Sequence, residues 1–172
     1  IFNYLLSLHI GSEDIGLLAG PPYWGRLAPW STSPLFYMGA AVIVIRELNL
    51  EHVLKTIAEE KITTTILPSS FITSMVTCPK LDQYNLRSLR SVGLTGAPVP
   101  PTIMSTAVEK VGKVFGLVYG TSEIASITYL SPEEIVFEGS LEETKRLQSC
   151  GRESAPHNVD VKIVDDTGRE IA

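Results

Sequence analysis

The sequence is poor in cysteine, in positive charge and in long apolar runs. Among its 172 residues only Cys78 and Cys150 are cysteines, far apart and with no Cys-x-x-Cys or Cys/His spacing. That argues against a disulfide scaffold and a zinc site, and a reduced, cytoplasmic protein is expected. Acids outnumber bases, 19 to 14, for a net charge of -5. A nucleic-acid or anionic-membrane surface needs clustered Lys and Arg, so no nucleic-acid partner is expected. The longest apolar run, Met38 to Ile45, is far short of the ~20 residues a membrane helix requires, so no transmembrane segment is expected. Charge is also scarce locally: residues 1–45 hold only Glu13, Asp14 and Arg26. Such a stretch is expected to be covered on more than one side. The chain starts at Ile1 without a signal-peptide layout, and both oddities suggest a piece of something larger.

What is present is an alternation of helical and strand patterns. Residues 2–9 place apolar side chains on a helical period. Asp14 to Gly20 reads as a short buried strand, and residues 27–39 as a helix limited by Pro29 and Pro34. Ala41 to Ile45 (AVIVI) is β-branched and apolar on both faces, as in a covered parallel sheet. Asn49 caps a helix to Lys61 whose apolar face is Val53, Leu54, Ile57 and Ala58. Strands are expected at Ile62–Leu67, Leu89–Leu94 and Val114–Tyr119, with helices from Pro68 to about Thr77 and from Pro101 to Val111. The fold class is therefore α/β, a mostly parallel sheet flanked by helices. We divide the chain into an α/β subdomain, 1–130, and a linker with the first hairpin of a small β subdomain, 131–172. In the second part, Val159–Val164 alternates as a half-buried strand and Asp165–Gly168 forms a turn.

Ligands of such sheets sit at the carboxyl ends of the strands. Two of these ends carry chemistry. One is Thr95-Gly96-Ala97-Pro98; the other is Tyr119-Gly120-Thr121-Ser122-Glu123. Glycine lets backbone approach a ligand closely. Thr121 and Ser122 offer hydroxyl and N–H donors for a phosphate. Glu123 is a hard oxygen ligand suited to Mg²⁺, which commonly bridges a carboxylate and substrate phosphates. Tyr119 offers a flat face for a purine. Each piece alone is also what an ordinary turn or helix start contains.

The second segment resembles the YGxTE motif of the adenylate-forming superfamily, which includes acyl-CoA synthetases, aryl-CoA ligases and adenylation domains. Thr95 to Pro98 resembles its GGAP segment, Tyr84 to Arg90 its FDLSSLR run, and Lys61 to Pro68 its YxVT…VP stretch. Pro21 to Trp24 with Gly39 to Val42 resembles PLFH…GATVV. Gly151-Arg152 with Val159 to Gly168 resembles GRP…VKIVD..TG. The segments follow the family's order and cover nearly the whole chain.

The resemblance implies an ATP-dependent ligase of fatty-acid metabolism. It would convert a small carboxylic acid and ATP into an acyl-adenylate, then pass the acyl group to coenzyme A. It also implies roles for the residues. Gly96, Ala97 and Pro98 line the adenine and acyl pocket, and Tyr119 stacks on adenine beside Gly120. Thr121 lies along the wall, Ser122 contacts the phosphate, and Glu123 holds Mg²⁺. Thr95 replaces the first glycine of the family segment, and Ser122 replaces a threonine. Trp24 stands where many members have a histidine at the acyl tunnel, which points to a short or aromatic acid; a packed core role is the other reading.

No SGTTGxPKG phosphate loop occurs in the sequence. It is expected before Ile1, with the family's TGD aspartate and lysine-bearing lid after Ala172. The missing parts of the parent chain would cover its edges, and the piece alone is expected to be inactive. An adenylation domain that loads a carrier protein and a non-catalytic α/β interaction module are the alternatives.

Overall fold

The computed structural model describes residues 2–20, 32–121, 123–153 and 159–171. The chain builds α1 (Phe2–Leu8), β1 (Ile15–Ala19), α2 (Ser33–Met38), β2 (Ala41–Ile45), α3 (Leu50–Glu60), β3 (Thr64–Pro68) and α4 (Ser69–Val76). Then follow β4 (Ser91–Thr95), α5 (Pro101–Val111), β5 (Phe115–Thr121), β6 (Ala125–Leu130), α6 (Leu141–Arg146) and β7 (Arg152–Glu153). One seven-stranded sheet runs in the order β2-β1-β3-β4-β5-β6-β7. The pairs from β2 through β5 are parallel, and β5–β6 and β6–β7 are antiparallel.

Local chemistry explains the main elements. The Asn49 side chain accepts from the His52 N–H at 3.1 Å, capping α3 as its sequence suggests. That helix buries Val53, Leu54 and Ile57 completely or nearly so, each worth roughly 1.5–3 kcal/mol relative to exposure. They pack with Phe71, Ile72 and Met75 of α4 and Met104 and Ala107 of α5 against Leu67, Val92, Leu94 and Phe115 of the sheet. The opposite face is smaller. There Tyr4 and Leu8 of α1 and Leu35 of α2 cover Ile66, Val118 and Tyr129.

Four expectations change. The AVIVI strand is not covered on both faces: β2 is the border of the sheet, and Val44 is 54% exposed. Its apolar run reflects β-propensity, with the buried positions going instead to β1, β3 and β4. Residues 125–130, not among the expected strands, form β6 by folding back on β5. Residues 159–164 form no continuous strand. Val164 makes a single antiparallel bridge to Glu170 around the Asp165–Gly168 turn, and Ile163 is 69% exposed. The helix expected over 27–39 is observed from Ser33 to Met38; residues 21–31, with Trp24, lie outside the described residues.

Candidate functional site

Strands β4 and β5 run side by side with Thr95 opposite Val118, so their carboxyl ends emerge together. Beyond β4 the chain turns at Gly96, whose φ of 97° is readily open only to glycine. The Ser69 hydroxyl, at the start of α4, donates to the Thr95 carbonyl at 3.3 Å and fixes this end. Beyond β5 the chain enters a hairpin. The register of β5 with β6 shifts between Tyr119 and Gly120, a bulge of the kind that re-aims side chains at strand ends.

The two ends form one wall each of a cleft of about 410 Å³. Thr95, Gly96, Ala97 and Pro98 line one side, and Tyr119, Gly120 and Thr121 line the other. Tyr119 is half exposed, leaving its ring accessible. Among the described residues no Asp, Glu, Lys, Arg or His lines the cleft. Such a site selects by shape and apolar contact, with a few backbone and hydroxyl groups for orientation.

Glu123 is not part of this lining. It sits exposed in the hairpin turn, two residues past Thr121. Hydrogen bonds from its own backbone N–H and from the Thr121 hydroxyl hold its carboxyl below the ordinary range, against a small opposing effect of burial. Thr121 Oγ1 also accepts from the Ile124 N–H at 3.3 Å, so one hydroxyl organises the turn. Ser122 lies outside the described residues.

Two parts of the cleft escape sequence reasoning. Leu147, Gln148, Ser149 and Cys150, between α6 and β7, close one side, and Tyr4 of α1 reaches in from the opposite end of the sequence. The 147–150 segment is held by backbone pairing and polar contacts. The Thr128 hydroxyl donates to the Cys150 carbonyl at 2.6 Å, β7 pairs with β6, and Arg152 meets Glu134 at 3.2 Å. The Gly151-Arg152 resemblance is the one signal adjacent to this wall; nothing marks Tyr4. Both cysteines are unpaired, as their spacing suggests. A second cleft of about 400 Å³ is lined by residues 81–87, ahead of β4, with Lys110 and Val111 at the end of α5, ahead of β5. It is remote from the strand ends that carry the motifs.

Among the described residues no group of three or more His, Cys, Asp or Glu could enclose a metal. A lone carboxylate such as Glu123 fits Mg²⁺ held jointly with substrate phosphates rather than in an all-protein cage. No helix among the described residues is long and apolar enough to cross a membrane.

Known proteins match this arrangement. The chain is 30% identical over 140 residues to the medium/long-chain-fatty-acid–CoA ligase FadD8 of Mycobacterium tuberculosis, covering 81% of this chain and 23% of that protein. It is 32% identical over 130 residues to the acyl-CoA synthetase YngI of Bacillus subtilis, named as putative, covering 74% of this chain and 22% of that one. The amide bond synthetase McbA of Marinactinospora thermotolerans superposes with a TM-score of 0.83 at 26% identity, over 99% of this chain and 32% of that chain. The chain thus spans under a third of the length of these proteins. The AMP-binding enzyme model matches residues 3–172, and the chain belongs to this family of adenylate-forming enzymes.

Proposed function

We propose that this chain supplies the nucleotide and acyl cleft of an ATP-dependent acyl-CoA synthetase. The observation that carries the reading is the meeting of Thr95–Pro98 and Tyr119–Thr121 in one cleft with an accessible tyrosine ring. In this reading Tyr119 stacks on adenine, and Gly96, Ala97, Pro98 and Gly120 let the backbone lie close to the nucleotide. Thr95 and Trp24 contact the acid. Thr121 orients Glu123, and Ser122 donates to the α-phosphate.

A carboxylate oxygen of the acid attacks the α-phosphorus of ATP. The P–O bond to the leaving pyrophosphate breaks, and acyl-adenylate remains in the cleft. The thiol of coenzyme A then attacks the acyl carbon and AMP departs. Glu123 would hold Mg²⁺ together with the substrate, and the ion would supply charge neutralisation at the transferring group. The chain's own contribution is placement: a rigid pair of strand ends aligns acid and nucleotide. Residues 131–172 we take as the linker and first hairpin of a β subdomain. The 172 residues alone lack a Ser/Thr/Gly-rich phosphate loop, so we infer that they do not turn over by themselves.

The likeness to FadD8 and YngI favours coenzyme A as acceptor. The likeness to McbA keeps an amine in view as a second acceptor, and a carrier-protein thiol is the third. The test is ATP–pyrophosphate exchange by the full-length protein with a panel of carboxylic acids, followed by addition of coenzyme A, an amine or a carrier protein. Acid-dependent exchange followed by thioester formation supports the reading. Exchange unaffected by Glu123→Ala overturns the metal assignment.

A further inference from the structure

Strand alternation divides the cleft into two lobes. Leu117 packs towards the α3–α5 face and Val118 towards the α1 face, and Tyr119 returns to the side of Leu117. The cleft contains all three, so it wraps around the strand ends. Leu94, Leu117 and Leu147 belong to the α3–α5 side, and Val118 and Tyr4 to the α1 side.

Tyr4 has an unusual position. It lines the cleft yet is only 5% exposed, because the rest of its ring is packed with Leu8, Ile66, Val118 and Tyr129. It therefore closes the lobe as a floor rather than projecting into it. Its helix is anchored: the Asn3 amide donates to the Ser126 carbonyl of β6 at 2.8 Å. The ring belongs to a cluster with Leu8, Ile66, Val118 and Tyr129, so removing it would deepen the lobe towards these apolar and aromatic neighbours.

We infer that Tyr4 is the specificity-determining floor of the acyl lobe and limits how far an uncharged acid chain can extend. This rests on the reading given under Proposed function. A pocket floor discriminates chain length because each methylene it admits or rejects changes kcat/KM by roughly 10–200-fold.

The experiment measures kcat/KM for adenylate formation by the full-length protein on butanoate and octanoate, in wild type, Tyr4→Ala, Tyr4→Leu and Tyr4→Trp. The octanoate-to-butanoate ratio should rise about tenfold or more in Tyr4→Ala and Tyr4→Leu and fall in Tyr4→Trp. A merely structural role lowers both acids alike and leaves the ratio unchanged, which overturns the inference. Should Tyr4→Ala fail to fold in a thermal melt, the ratios in Tyr4→Leu and Tyr4→Trp decide by the same criterion. Adenylation by wild type with an unmoved ratio overturns the floor alone. No adenylation of any acid by wild type overturns the functional reading and the floor together.

Discussion

Arg90 and Asp14, 76 positions apart in sequence, meet in a two-pronged ion pair: Nη2 lies 2.5 Å from Oδ2 and Nε 3.3 Å from Oδ1. The Thr63 hydroxyl donates to Oδ1 at 2.6 Å and the Gly11 N–H to Oδ2 at 2.8 Å. Arg90 also reaches the Leu8 carbonyl at 3.2 Å. Asp14, Thr63 and Arg90 stand just before β1, β3 and β4, so the pair ties three neighbouring strands at their amino ends, opposite the carboxyl ends that form the cleft. Burial pushes the Asp14 carboxyl up, but the Gly11, Thr63 and Arg90 hydrogen bonds and the Arg90 charge outweigh it and leave it below the ordinary range. A lowered carboxylate favours the native state above its unfolded pKa of about 4, and that support is lost as pH falls through the folded value. Asp14→Asn should therefore flatten the acid limb of a plot of Tm against pH. Asp14→Ala should cost about 3 kcal/mol in urea unfolding, since it strands several donors.

Tyr119 should matter to nucleotide rather than to fold. Its ring is half exposed at the cleft, and stacking of a base on an aromatic ring is worth about 1–3 kcal/mol. Tyr119→Ala in the full-length protein should weaken ATP binding by about tenfold in calorimetry, while Tyr119→Phe should bind as wild type. Thermal stability should hardly change in either.

Thr121 and Glu123 form a coupled pair. Thr121→Val removes the hydroxyl that donates to the Glu123 carboxyl and accepts from the Ile124 N–H. The Glu123 pKa should move up towards its ordinary value, an upward shift readable by NMR titration of the side-chain carboxyl. The same variant should need more Mg²⁺ for half-maximal adenylation, because the Thr121 hydroxyl no longer orients the Glu123 carboxylate.

Gly151 should tolerate no side chain. Its φ is 80°, and an added Cβ would strike the Tyr129 carbonyl and the Leu130 nitrogen of β6. Since these are backbone atoms, the strand itself must yield. Gly151→Ala should destabilise by about 2 kcal/mol and, by lifting β7 from β6, displace the 147–150 wall. A thermal melt and an ATP titration should both register it.

The legibility of this chain follows the range of the interactions. Helix α3 is readable because Asn49 and the spacing of Val53, Leu54 and Ile57 act within one element. The ends of β4 and β5 are readable because each motif is contiguous. Tyr4 in the cleft is not, since its place depends on α1 crossing the sheet to β6. The Arg90–Asp14 pair is equally hidden, as nothing local marks either partner. Strand β6 escapes notice because the glycine-containing hairpin before it resembles a helix start. AVIVI misleads in the other direction, since composition reports β-propensity and not whether a strand lies at the border.

That border strand has a practical consequence. Among the described residues β2 pairs on one side only, with β1, and its outer N–H and C=O groups face away from the sheet. It carries no Lys, Pro or bulge to blunt it, and Val44 adds an apolar handle. Such an edge is a template for cross-strand growth between copies. The rim that matters for keeping this segment dispersed is thus five strands away from β6 and the cleft hairpin, and Val44→Lys could guard against filament formation without touching the chemistry.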